Sequence, residues 1–122
     1  MTQNIQISRE AEFVRVTYRG DVEYAATTEM LRQVAVIAAE ARCKLLLFDI
    51  RGANYRDYHL GTIRHAEEGP ALGIDKSFRI AFLGASANPM LKYIEAVSVN
   101  RGYWVKTFVD ESEALAWLQT AT

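Results

Sequence analysis

The chain has 122 residues, half of them apolar and about a quarter charged, with a formal net charge of −1. That size suits one shared core rather than two, and the composition lies well outside the disordered regime. The near-neutral balance argues against general nucleic-acid binding, which draws on a clear basic excess to meet phosphates. The start, Met1-Thr2-Gln3-Asn4, is polar and lacks the basic and apolar stretches of an export leader. The longest unbroken apolar run, Val34 to Ala39, is far short of the roughly 20 residues that span a bilayer. Cys43 is the single cysteine, which excludes an intramolecular disulfide and suits a reducing compartment. The expectation is one cytoplasmic domain over residues 1–122, with no membrane span and no internal repeat or linker.

In chain order, Ile5 and Ile7 open a short alternation, and Phe13, Val14, Val16 and Tyr18 follow in a second one closed by Gly20-Asp21. Two such runs flanking the polar Arg9-Glu10 region predict an antiparallel pair. From Val22 to Ala41 the period changes: Ala26, Met30, Val34, Ile37, Ala38 and Ala41 fall three or four apart, one stripe of an amphipathic helix. Leu45-Leu46-Leu47-Phe48-Asp49-Ile50 is nearly continuous in apolar residues, as in a strand covered on both faces. A weaker helix is predicted from Tyr58 to Glu68, with Leu60, Ile63 and Ala66 inward and Gly69-Pro70 ending it. Phe78, Ile80, Phe82 and Leu83 give the next strand, up to Gly84. Asn88-Pro89 starts a helix that carries Leu91, Ile94, Val97 and Ser98 inward and stops at Gly102. Tyr103, Val105 and Phe108 form a last strand, and Asp110 with Glu113 caps a final helix through Ala114, Leu115, Trp117 and Leu118.

The predicted class is α/β, in the order β-β-α-β-α-β-α-β-α. Right-handed crossovers make the later strands parallel, and the first pair makes the sheet mixed. Helices pack on the sheet.

Several strings in that order carry a resemblance. They are Leu47-Phe48-Asp49-Ile50-Arg51-Gly52, Arg79-Ile80-Ala81-Phe82-Leu83, Asn100-Arg101-Gly102-Tyr103, and the closing run from Phe108 to Leu118. Together they resemble the SpoIIAA-like family of STAS/Sec14-type domains over nearly the whole chain. The resemblance implies a STAS-like fold and a binding or regulatory module akin to anti-sigma-factor antagonists and, more distantly, to lipid-binding Sec14 domains. It implies no reaction. Phosphoregulated antagonists carry a serine at the start of the helix after the central strand. Here no serine lies between Arg51 and His65, where the hydroxyls are Tyr55, Tyr58 and Thr62.

Each catalytic motif breaks down on its own terms. Gly84-Ala85-Ser86-Ala87-Asn88 approaches the Gly-x-Ser-x-Gly nucleophile elbow, but its fifth position is Asn, and His59 and His65 both precede the serine. The same turn lacks the Gly-Lys-Ser/Thr of a nucleotide loop, though the amides at its helix start could hold an anion. His59 and His65 are six apart and fall on different faces of a helix, so no metal site is expected. Cys43 reads as a small packed hydrophobe. No cofactor and no catalytic residue are assigned.

The candidate binding residues cluster at one end of the sheet. Asp49 in an apolar strand needs a partner, with Arg51 adjacent and Arg101 a second candidate. It is either a structural hydrogen-bond or ion-pair partner or the wall of a ligand site, since ligands of open α/β sheets favour the carboxyl ends of strands. Asn54, Tyr55, Arg56, Tyr58 and His59 add amides, aromatics and a cation at that end, and Ser86 and Arg101 complete the set. Two functional readings follow. One is a regulatory module for a protein partner, or for a second copy joined through an open edge strand. The other is a carrier of a small apolar or amphiphilic ligand, with Tyr55, Tyr58, Leu60, Ile63 and Tyr93 closing over a pocket beside the second helix.

Overall fold

A computed structural model describes residues 3–56 and 58–120. Five strands form one sheet in the order β1 (Gln3–Arg9), β2 (Val14–Asp21), β3 (Leu45–Asn54), β4 (Arg79–Leu83), β5 (Trp104–Phe108). The β1–β2 pair is antiparallel, with Ile7 opposite Val16, and every later pair is parallel, as Phe48 with Phe82 and Ile80 with Val105. The helices are α1 (Tyr24–Ala41), α2 (His59–Leu72), α3 (Met90–Asn100) and α4 (Glu111–Gln119). The element order is the one predicted.

Strand parity sorts the core into two layers. Val14, Val16 and Tyr18 of β2, with Leu46, Phe48 and Ile50 of β3, face the side covered by α1, α2 and α3. Leu47, Ala81 and Leu83 face the other side, where α4 lays down Ala114 and Leu118. A central strand covered on both faces has no room for alternation, which is why β3 reads as a continuous apolar run. The α1 stripe holds in Met30, Val34 and Ala38, all buried, although the helix starts two residues later than predicted.

The second helix departs from the sequence reading in two ways. It runs through Gly69 and Pro70 to Leu72 and closes on Gly73, whose φ of 102° is left-handed. Pro70 has no N–H to give to the carbonyl four residues back, that of Ala66. The Tyr103 hydroxyl donates to that carbonyl instead, at 2.9 Å. Gly69 makes room for it, because a side-chain carbon there would collide with the Tyr103 hydroxyl. A tertiary donor therefore replaces the missing helical one, and the local stop signal is overridden. Leu60, predicted inward, is 62% exposed. The reason is that α2 packs chiefly against α1 and α3 rather than flat on the sheet, and Gly69 is its only fully buried residue. The helix spans the space between its neighbours and leaves a hollow beneath.

The α3 start is capped as expected, with the Asn88 side chain accepting from the Met90 N–H at 2.9 Å, and Gly102 at φ 89° follows its end. Asp110 accepts from the Ser112 N–H at 2.8 Å and opens α4. Trp117 is half-buried. Its ring lies 4.0 Å from the Arg79 guanidinium, whose Nε and Nη2 also donate to the Trp117 carbonyl. Trp104, on the same face of β5, is 56% exposed.

Candidate functional site

The strand β3 projects its last residues past the point where β4 ends, and α2 begins shortly after it at His59. The β4–α3 turn comes up beside it. Between them lies an open groove of about 530 Å³ at the carboxyl ends of the strands. Arg51, Asn54, Tyr55, Arg56 and His59 line it from the first segment, and Ala85, Asn88, Pro89 and Met90 from the second. Five of the residues singled out from sequence thus share one groove. Asp57 lies outside the described residues.

Asp49 sits one step behind it. The residue is 7% exposed and on the α4 side of the sheet. Its Oδ1 accepts from the Arg51 N–H at 3.2 Å and Arg51 Nε at 3.0 Å, and its Oδ2 from Arg51 Nη2 at 2.7 Å. Arg15 of β2 reaches Asp49 at 3.7 Å and Glu111 of α4 at 2.6 Å, while Arg51 reaches Glu111 at 3.3 Å. Burial pushes the Asp49 pKa up, but the Arg51 hydrogen bonds and the two guanidinium charges outweigh it and hold the carboxyl below its ordinary range. Two cations and two anions close a neutral network that ties β2, β3 and the first turn of α4 together. Arg51 is held in a fixed pose at the groove rim.

Arg101 is not part of this group. It donates to the Val97 carbonyl and pairs with Glu67 at 3.3 Å. The reason is topological: a crossover helix runs back against its strands, so the end of α3 lies at the opposite end of the sheet from the carboxyl end of β3. Arg15 takes the place that Arg101 was expected to fill. Ser86 is exposed in the β4–α3 turn. His59 packs edge-on against Tyr93 at 4.6 Å, and His65 bonds through Nε2 to the Tyr58 hydroxyl at 2.7 Å. Among the described residues, no group of three or more His, Cys, Asp and Glu side chains is placed to hold a metal ion.

Beneath α2 is a second space, a cavity of about 120 Å³ between that helix and the sheet. Its walls are largely apolar: Met30, Phe48, Ile50, Ile80, Phe82 and Ile94 all contribute. Tyr55 and Tyr58 line it as the sequence suggested, whereas Leu60, Ile63 and Tyr93 stand outside it. Several polar side chains in the wall are bonded to the protein itself, while the buried Nδ1 of His65 has no hydrogen-bond partner among the described residues. Tyr18 and Thr27 meet at 3.2 Å, Thr62 donates to the Tyr58 carbonyl at 3.0 Å, and Tyr103 to Ala66 as above. Burial pushes the Tyr58 hydroxyl up to about 12 and raises that of Tyr55 as well. Burial lowers the pKa of His65, against the opposing charge of Glu68. The His65 ring is stacked on Tyr24 at 4.6 Å, and Tyr24 donates to Glu68 at 2.5 Å, so α1 and α2 are latched over the cavity.

Sequence reasoning missed Arg15, Glu111, His65 and Tyr103. Arg15 had a local signal, a cation between two valines of an alternating strand; the others acquire their roles only from the packing of distant elements.

No protein-family model matches the sequence, and no curated protein matches it. Solved structures do. One is a DUF3478-family protein with a SpoIIAA-like fold from Shewanella loihica PV-4, 19% identical over 96% of this chain and 93% of that one, with a TM-score of 0.57. An anti-sigma factor antagonist from Mycobacterium paratuberculosis is 10% identical over 97% and 95%, with a TM-score of 0.59. The anti-sigma factor antagonist SpoIIAA in its unphosphorylated form is 13% identical over 98% and 99%, also at 0.59. The chain therefore has the SpoIIAA-like fold, as its sequence strings implied.

Proposed function

We propose that this protein is a non-enzymatic regulatory module that docks a protein partner in the groove between the β3–α2 and β4–α3 segments. The observation that carries this reading is the convergence of Arg51, Asn54, Tyr55, Arg56 and His59 on one open groove, with Arg51 fixed by the buried Asp49. Aromatic and arginine side chains are the groups that anchor protein interfaces. The likeness to proteins described as anti-sigma factor antagonists supports a regulatory role. The module works without a serine switch, since no serine lies between Arg51 and His65.

The test is capture from the native lysate on immobilised protein, with Arg56→Ala/His59→Ala as the paired variant. A partner held by the parent and released by the variant at unchanged melting temperature supports the groove. A partner held equally by both places docking elsewhere. A second copy is a further candidate partner, through the outer edge of β1. At the other edge, the Thr107 N–H of β5 is already taken by Glu95 at 2.8 Å. Light scattering on a size-exclusion column separates monomer from dimer.

A second reading, a carrier of a small apolar or amphiphilic ligand, is favoured by the cavity beneath α2. Native mass spectrometry of protein purified without detergent tests it, through an added mass that unfolding releases.

A further inference from the structure

The groove and the cavity have one lining residue in common. Tyr55 lines both spaces. It is half-buried and packs against the main core cluster on its inner side. Its ring meets Tyr58 edge-on at 5.9 Å, and Tyr58 is tied to α2 through the His65 imidazole at 2.7 Å. On the outer side its neighbours in sequence, Asn54 and Arg56, belong to the groove. Asn54 is further anchored to Asp21 at 3.0 Å and accepts from the Arg56 N–H at 3.1 Å, so hydrogen bonds tie the residues on either side of Tyr55 to each other and to the end of β2.

The cavity's chemistry sets what it would take. Its wall hydroxyls of Tyr18, Tyr58, Thr62 and Tyr103 bond to protein groups. The His65 Nδ1, without a hydrogen-bond partner among the described residues, is the polar exception, and the rest of the surface offered to a guest is largely Met30, Phe48, Ile50, Ile80, Phe82 and Ile94. A volume of about 120 Å³ is close to the about 150 Å³ of an apolar cavity that stays dry and accepts benzene or xenon. The fitting class is a compact apolar molecule the size of a single aromatic ring. A long acyl chain exceeds it.

We propose that Tyr55 couples the two spaces: a compact apolar molecule in the cavity beneath α2 displaces Tyr55 and thereby changes the groove's affinity for its protein partner. The inference rests on both readings of the preceding section and adds the link between them. Linkage makes the effect reciprocal, so partner docking changes the cavity's affinity for its guest by the same factor. The guest must act by differential binding to the two Tyr55 positions, because a ligand indifferent to them shifts nothing.

The experiment uses benzene as the probe on the intact chain, with amide chemical shifts as the readout and melting temperature as the measure of binding. The expected result is a benzene-dependent rise in melting temperature, with saturable shifts at cavity-wall residues such as Met30 and Ile80. Matching shifts are expected at Asn54, Arg56, His59 and Ala85 with the same midpoint. In Tyr55→Leu, which keeps apolar bulk, the groove shifts measured at benzene saturation fall by more than half. Tyr55→Phe, which keeps the ring, retains them and controls for loss of the hydroxyl. Binding with shifts confined to the cavity wall overturns the coupling and leaves the cavity reading standing. Groove shifts of full size in Tyr55→Leu also overturn it. No binding of benzene overturns the cavity reading and the coupling together, while the groove reading still stands or falls on the capture experiment.

Discussion

The Tyr103 hydroxyl donates to the Ala66 carbonyl at 2.9 Å, and Ala66 is the residue whose helical donor Pro70 lacks. A side chain at the start of β5 thus repairs the backbone of α2, and it does so at the floor of the cavity. Tyr103→Phe removes the donor and leaves a part-buried carbonyl without its protein partner, an effect of about 1–2 kcal/mol. In a Pro70→Ala background the helix regains its own N–H, and the same substitution is expected to cost well under half as much. Urea unfolding of the four proteins in this double-mutant cycle measures the difference. Additive losses would show that Tyr103 and Pro70 are unrelated.

Asp49 is the charge on which the groove's geometry depends. Asp49→Asn keeps the shape but leaves Arg15 and Arg51 sharing Glu111 alone. Breaking a buried pair costs about 3–5 kcal/mol, and an exposed one about 0–1 kcal/mol. Arg51 is half-exposed, so a loss of about 2 kcal/mol is expected. The folded carboxyl lies below its ordinary value, so its contribution is complete above the unfolded pKa near ~3.9 and lost as pH falls below that. Guanidinium unfolding of parent and variant should converge in acid. A gap that stays constant from pH 7 down to pH 3 would remove the ionic account.

These two sites show what the sequence could and could not disclose. The alternation of Val14, Val16 and Tyr18, the unbroken apolar run of β3 and the Asn88 cap are local regularities, and local regularities fix element type. The groove was legible because parallel α/β topology puts the loops after β3 and β4 at the same end of the sheet. The end of α2 was misplaced because Gly69-Pro70 is a sound local stop signal, overridden by a tyrosine 33 positions later in the chain. Arg101 was misassigned for the converse reason: it directly precedes the last strand, so it lies at the amino end of the parallel strands, away from the carboxyl end of β3. His65 looked like half of a failed metal pair, and its burial against Tyr24 and Tyr58 depends on how α1 and α2 meet.

His65 gives the fold a pH dependence near neutrality. Its folded pKa is lowered, first by burial and in spite of Glu68. Between the unfolded value near ~6.5 and the lower folded one, the unfolded chain binds a proton that the native state resists, so stability falls as pH drops through that window. The ordered neighbours are Tyr24 and Tyr58 at the ring and Glu68 at 3.9 Å from Nδ1, with Arg64 over Tyr24. His65→Gln lowers stability at every pH but flattens the slope between pH 7 and 5. Chemical denaturation at half-unit steps reads the slope directly. An unchanged slope in the variant would assign the dependence to other groups.

The β5 edge of the sheet is covered by a side chain, and this gives the last expected outcome. Glu95 of α3 accepts through Oε1 from both the N–H and the hydroxyl of Thr107, at 2.8 and 2.9 Å, and so covers the outer side of β5. Trp104 beside it is exposed, so an uncovered edge here would combine free backbone groups with an apolar side chain, the usual recipe for edge-to-edge pairing. Glu95→Ala is expected to cost about 1–2 kcal/mol for the charge-assisted bonds. It should also shift the protein toward larger species in concentration-dependent light scattering. Adding Trp104→Lys to that background places a cation on the open edge and should restore the parent's size distribution without restoring its stability. If Glu95→Ala stays at the parent's size across the concentration range, the Glu95 carboxylate stabilises α3 against β5 and does not guard the edge.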